Sequence, residues 1–185
     1  MTVDGRPHRL GCQLARRSPL FAAAADPRAV GPLTAILGPD AEFLSEKVVF
    51  RDAHEDGASP WHQDYPYWRG RHKVSLWIAP DDVTPENGCL RLIPGSHHAE
   101  VAHARVRSAH GFGTRVEGLD GEGAISAPLE AGGAIFFHDL TLHASHPNRT
   151  GGDRWAVITT YRDARATGPE QMEWPAARVV AGSRR

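Results

Sequence analysis

The run KVSLWIAPDDVTPENGCLRLIPGSH, residues 73–97, holds two short β-rich segments, KVSLWIA (73–79) and CLRLI (89–93), parted by turn residues. Branched and aromatic side chains dominate both, and neither is long enough for an amphipathic helix. Pro85-Glu86-Asn87-Gly88 precedes the second segment and Pro94-Gly95-Ser96 follows it. Asn and Gly tolerate the positive φ that tight turns need. The same texture extends in both directions, to KVVF (47–50) upstream and to AISAPL (124–129), AIFF (134–137) and RWAVITTY (154–161) downstream. Gly132-Gly133, Pro147-Asn148 and Gly151-Gly152 separate the later runs. Many short strands, with no helix of convincing period after residue 40, predict a mainly β sandwich or barrel.

Residues 9–25 and 27–37 read as two short helices ahead of these strands. The first is alanine-rich. The second opens at Asp26-Pro27, a cap followed by a first-turn proline, and closes at Gly38-Pro39. Residues 108–123 read as a mobile loop and the final polar stretch, 166–185, as a loosely attached tail. The expected organisation is one domain over 1–185, with a helical prelude (1–40), a β core (41–165) and that tail.

Composition narrows the function. Hydrophobic residues make up 41% and charged residues 23% of 185, with a formal charge of -1, which is an ordinary globular balance. No concentrated basic face suggests a nucleic-acid or anionic-membrane partner, and no apolar run approaches the roughly 20 residues a bilayer span needs. MTVDGRPHRLGC lacks the apolar centre of a signal peptide, so a cytoplasmic protein is expected, and a monomer or homodimer is the expected form. Cys12 and Cys89 are then thiols rather than a disulfide. Two cysteines cannot build a Cys-rich zinc or iron–sulfur site, so any metal falls to carboxylates and the eleven histidines.

His62-Gln63-Asp64 places two metal-ligating side chains two apart, and in extended backbone both project to one side. Such a triplet occurs by chance in many chains, and a histidine bonded to a neighbouring carboxylate explains it equally well. A second candidate follows the apolar run before His138, at His143. Two histidines and a carboxylate on one face of an octahedral ion leave positions open for substrate and oxygen, although zinc accepts the same set. Arg154 opens the strand RWAVITTY, where Arg154, Ala156, Ile158 and Thr160 share a face. An inward guanidinium suits a carboxylate bidentately. 2-Oxoglutarate offers that carboxylate, as does a structural Asp or Glu.

WHQDYPYW (61–68), SLWIAPDDVTPENGCLRLIPGSH (75–97) and HASHPNRTGGDR (143–154) resemble the three signature blocks of the phytanoyl-CoA dioxygenase family, in its order and with its histidine-to-arginine spacing. The resemblance covers roughly residues 40–165. It implies a double-stranded β-helix (a cupin-like jelly-roll) and iron(II), 2-oxoglutarate and O2 in the oxidation of a small molecule. Carried over by position, His62, Asp64 and His143 are the catalytic metal ligands and Arg154 anchors the co-substrate. Trp77 lines its pocket, and Lys47 or Arg51 adds a contact. Related halogenases have a small residue where Asp64 stands, so hydroxylation or another oxidation is expected rather than halogenation.

Tyr65, Tyr67, Trp68 and Arg69 follow the metal pair and are candidates for substrate contact, packing over the barrel end being the other reading; Arg71 and His72 add polar contacts. Pro94-Gly95-Ser96-His97 is read as a structural loop. His97, His98, His103 and His110 are read as solvent-facing, His54 as part of a polar loop, and His138 as a supporting residue near the site. Only 61 residues precede His62, fewer than the resemblance leads one to expect. The pocket is therefore either open or closed by a partner subunit or a further segment. The basic residues do not cluster as an acyl-CoA would require, and a bacterial secondary metabolite is the expected substrate. Two rivals carry the same ligands: a cupin-like isomerase or hydrolase without 2-oxoglutarate, and a non-catalytic jelly-roll that binds a small ligand.

Overall fold

In the computed structural model the described residues are 27–51, 58–108 and 111–183, with 2–3, 6–7, 10–12 and 14 before them. In chain order the elements begin with β1 (Thr2–Val3), β2 (Arg6–Pro7), β3 (Leu10–Cys12), a helix (Pro27–Leu37), β4 (Ala41–Arg51), a four-residue helix (Tyr65–Trp68) and β5 (Val74–Ile78). There follow β6 (Leu90–Leu92), β7 (Ala104–Ser108), β8 (Gly111–Arg115), β9 (Ile125–Ala127), β10 (Ala134–His138), β11 (His143–Ser145), β12 (Arg154–Asp163) and β13 (Arg178–Ala181).

The strand pairings that build the two main sheets are all antiparallel. The larger sheet runs β10-β5-β12-β4-β13, with β3 also on β4, and the smaller runs β11-β6-β9. Period-two alternation gives each strand of the larger sheet two different faces. Trp77, Phe137, Ala156 and Ile158 turn inward to meet Leu90 and Leu92 of the smaller sheet. Leu76 and Tyr161 turn outward, where Ala29 and Leu33 of the helix Pro27–Leu37 cover them. This two-sheet, mainly β architecture is the jelly-roll expected from the sequence.

β4 also carries a bulge. Thr160 pairs with Ser45 but Tyr161 pairs with Phe43, so Leu44 is an extra residue on β4. An extra residue reverses the alternation beyond it. Phe43 therefore joins Tyr161 on the helix side, ring centroids 5.8 Å apart, while Lys47, Val49 and Arg51 stay on the inner side.

Three expectations need correction. The segment 9–25 contains a strand, Leu10–Cys12 on β4, and apart from Leu14 its remaining positions from 13 onward lie outside the described residues. Residues 108–123 include β8, which closes a hairpin with β7. Long-range bonds hold this hairpin down: Thr114 N–H donates to Tyr67 Oη at 3.0 Å and Val116 N–H to Trp61 O at 2.8 Å. The tail supplies β13 to the larger sheet, and Val180 and Ala181 pack against the outer cluster. Among the described residues no helix is long and apolar enough to cross a membrane.

Candidate metal centre

β11 begins at His143, and the chain at His62 forms a bridge to it. His62 N–H donates to His143 O at 2.9 Å and His143 N–H to His62 O at 3.0 Å. Directly opposed residues of an antiparallel pair project to the same face. The two imidazoles consequently lie with centroids 4.1 Å apart despite their distance in sequence. The extended backbone expected of the triplet stops before Asp64, which is in the αR region (φ -76°, ψ -27°) and precedes the helix Tyr65–Trp68. Its side chain makes no cap bond there, so the carboxylate is left for the site.

Both histidines are oriented alike. The Nδ1 of His62 lies 2.8 Å from Pro60 O and that of His143 lies 2.9 Å from Thr141 O. A ring that donates Nδ1–H to a carbonyl keeps its lone pair at Nε2, the tautomer a metal needs. The Nε2 atoms stand 3.8 Å and 3.9 Å from Asp64 Oδ1. Ligand atoms of all three residues lie within 4.8 Å of one another, so one ion can touch them all.

Electrostatics prepare the three groups for a cation. Burial, then the neighbouring His143, pushes His62 down to about 3; burial likewise lowers His143. Both rings are thus neutral ligands near pH 7. Burial alone would raise Asp64, but Lys47, the two imidazoles and the Ser75 hydroxyl outweigh it and hold the carboxyl below its ordinary range. Ser75 Oγ–H donates to Asp64 Oδ2 at 3.3 Å.

A cavity of about 80 Å³ opens beside the triad, lined by Lys47, Arg51, Trp77 and Arg154 among others. Arg154 is 2% exposed and lies 5.4 Å from the centroid of the Trp77 ring. Its Nη2 donates to Gly88 O and its Nε to Asn87 O. The turn Asn87-Gly88, with Gly88 at φ 99°, therefore seats the guanidinium as well as joining strands. Among the described residues no carboxylate lies within ion-pair distance of Arg154. Burial, then Arg51, lowers it to about 10, so it remains a cation. Arg51 Nη2 donates to Ser59 Oγ at 2.5 Å and Ser145 Oγ at 3.2 Å.

The candidate substrate residues fall elsewhere. None of Tyr65, Tyr67, Trp68 and Arg69 lines this cavity. Trp68 is buried, donates Nε1–H to Asp139 Oδ2 at 3.2 Å and meets Trp174 edge to face. The packing reading thus replaces substrate contact for Trp68. Tyr65 stacks near His72 and Arg69 pairs with Glu100. Tyr67 is nearest the centre, its ring 6.1 Å from His62, with 42% exposure. Arg71 joins Glu170 and Ala166 O instead of the site.

Other residues matter that the sequence did not single out. Gln63, fully buried, donates to Ala99 O and Leu140 O and accepts Val101 N–H. Its own N–H goes to His103 Nε2 at 2.9 Å, so His103 is a buttress and not merely solvent-facing. His54 and His110 lie outside the described residues. Cys89 is a buried free thiol.

A family model described as phytanoyl-CoA dioxygenase (PhyH) matches residues 2–156. L-proline trans-4-hydroxylase of Streptomyces griseoviridis is 31% identical over an alignment of 161 positions that covers 73% of this chain and 59% of that protein. Phytanoyl-CoA dioxygenase domain-containing protein 1 of Mus musculus is 30% identical over an alignment of 178 positions that covers 90% of this chain and 61% of that protein. The chain thus spans about three-fifths of the length of these relatives. Among solved structures, the non-heme monooxygenase ThoJ is 28% identical with a TM-score of 0.71, covering 85% of this chain and 59% of that one. EvdO2 of Micromonospora carbonacea var. aurantiaca, complexed with 2-oxoglutarate, shares the fold at 24% identity and a TM-score of 0.74, covering 90% and 71%.

Proposed function

This chain belongs to the phytanoyl-CoA dioxygenase family, and we propose that it is an iron(II)- and 2-oxoglutarate-dependent oxygenase that hydroxylates or otherwise oxidises a small molecule. One observation carries the reading. A buried two-histidine, one-carboxylate group shares its cavity with a buried arginine that has no carboxylate partner among the described residues. The donor chemistry fits iron(II): two neutral Nε2 atoms and one carboxylate, leaving the opposite side of an octahedral ion open. It fits 2-oxoglutarate as well, because Arg154 awaits a carboxylate at the far end of a pocket that begins at the metal ligands.

When bound, the iron and 2-oxoglutarate together supply oxygen activation, releasing succinate and carbon dioxide and giving the oxidising power to attack an unactivated C–H bond. The protein's own contribution is positional. His62 and His143 hold their Nε2 atoms in place through the Nδ1 bonds to Pro60 O and Thr141 O. Asp64 stays ionised beside Lys47. Arg154, braced on Asn87 O and Gly88 O and lying over Trp77, would hold the distal carboxylate. Arg51 fixes Ser59 and Ser145 along the same wall. Burial excludes water from this side of the site and strengthens each charge interaction.

The same proposal includes a bacterial secondary metabolite as substrate and a cytoplasmic monomer or homodimer, without nucleic-acid or membrane partners, as the working form. The amino-acid hydroxylase among the relatives supports a substrate of small size. The test is succinate formation from 2-oxoglutarate with iron(II), oxygen and a panel of small-molecule substrates. His62→Ala or His143→Ala abolishes it, whereas Arg154→Ala raises the KM for 2-oxoglutarate about 10- to 100-fold, the worth of a charge-assisted hydrogen bond. Substrate-dependent turnover persisting in both histidine variants would sink the reading.

A further inference from the structure

Behind the loop that carries His62 and Asp64 stands a second group with the same donor types. His72 Nδ1 lies 3.0 Å and His138 Nδ1 3.2 Å from one oxygen, Oδ1 of Asp139. Ligand atoms of the three residues fall within 4.8 Å of one another. The imidazoles are 4.8 Å apart by ring centroid, and His97 approaches His138 at 5.9 Å.

Asp139 divides its two oxygens between different tasks. Oδ2 accepts Trp68 Nε1–H and Lys73 N–H, at 3.2 Å and 3.0 Å. The backbone of Asp139 exchanges further bonds with Tyr65 N–H and Lys73 O, both at 3.0 Å. The side chain is thus fully buried and fixed, with Oδ1 facing the two imidazoles. His72 can donate a proton to that oxygen. His138 is placed differently, because Leu140 N–H points at its Nδ1 from 3.2 Å. In the tautomer that accepts this N–H, Nδ1 bears a lone pair and no proton. Two electron-rich atoms, His138 Nδ1 and Asp139 Oδ1, then face each other with no hydrogen between them. A cation resolves that opposition. Lys73 does not supply it, since its ammonium turns to Glu170 and to Arg71 O.

We propose that His72, His138 and Asp139 form a second metal site, separate from the His62–Asp64–His143 centre, that takes a divalent ion of the zinc class. Imidazole with carboxylate favours Zn2+ or Cu2+ over hard ions such as Mg2+ or Ca2+. The ion enters from solvent past His72, whose side chain is 53% exposed, replacing the long Leu140 N–H bond to His138.

The test is equilibrium dialysis of tag-free, metal-stripped chain against micromolar Zn2+, with zinc per chain read by elemental analysis. The unaltered chain binds two ions, the His72→Ala/His138→Ala variant binds one, and the His62→Ala/His143→Ala variant also binds one. His72→Gln, a change at a half-exposed position that spares the fold, weakens the second ion at least about tenfold. A single ion that disappears only in His72→Ala/His138→Ala would still establish this site and would count against the first centre. Retention of both ions by that variant, or one ion lost only with His62 and His143, overturns the proposal.

Discussion

At Asp64 the backbone turns from extended into helical and the carboxylate, unused as a cap, faces two neutral imidazoles. His62, Asp64, His143 and Arg154, which meet at one cavity, were singled out in the sequence by the order of the family-like motifs that hold them. Gln63 and Asp139 were not, since their partners come from segments far along the chain. The depressed pKa values of His62 and His143 have a consequence for stability. Above pH 6.5 both rings are neutral whether folded or not, so they are without effect on the balance. Below it the unfolded chain takes up protons that the folded chain refuses, and stability falls as pH drops from 6.5 toward about 3. His62 drives this loss down to about 3, and burial of His143 adds to it in the same direction. Urea unfolding of metal-free protein at successive pH values should show the decline, with a shallower slope in His143→Ala; an unchanged slope in that variant would contradict it. Gly121 gives a steric prediction. At φ 86° a Cβ there would meet Trp61 at 2.5 Å, immediately before His62. Gly121→Ala should therefore lower both the melting temperature and iron affinity, measured by thermal unfolding and metal titration.

β13 shows how an element can be hidden. Arg178-Val179-Val180-Ala181 is a four-residue run in a proline-containing stretch, and what fixes it lies elsewhere: pairing with β4 and a stack of Arg178 on the Phe43 ring at 4.4 Å. The preceding segment is held by Glu170, which meets Lys73 at 3.1 Å and Arg162 at 2.6 Å. Turn chemistry and alternation revealed the core strands, but neither reports long-range ion pairs. The β7–β8 hairpin was missed for the same reason, its anchors being Tyr67 and Trp61. The Lys73 side chain is completely buried, so removal of its carboxylate leaves a cation poorly compensated. Glu170→Gln should cost about 3 kcal/mol of stability while leaving the Kd for 2-oxoglutarate unchanged, by urea unfolding and ligand titration. Stability within error of the unaltered chain would show that the pair does not anchor the segment.

The whole molecule is an antiparallel two-sheet jelly-roll whose core lies between the sheets and whose candidate site takes residues from both. His143 belongs to the smaller sheet, Lys47, Arg51, Trp77 and Arg154 to the larger, and His62 is bridged to His143 from outside the strands. This division lets separate pieces of chain hold the metal and the co-substrate at adjoining positions. The pattern of short strands foretold the class of fold, and the ordered motifs named residues that the fold brings to one cavity. The absorption spectrum of the chain with anaerobic iron(II) and 2-oxoglutarate tests the account most directly. It should show the visible charge-transfer band of an iron–keto-acid chelate, abolished by His143→Ala and requiring higher 2-oxoglutarate in Arg154→Ala. Correctly metallated protein that gives no band at saturating 2-oxoglutarate would contradict it.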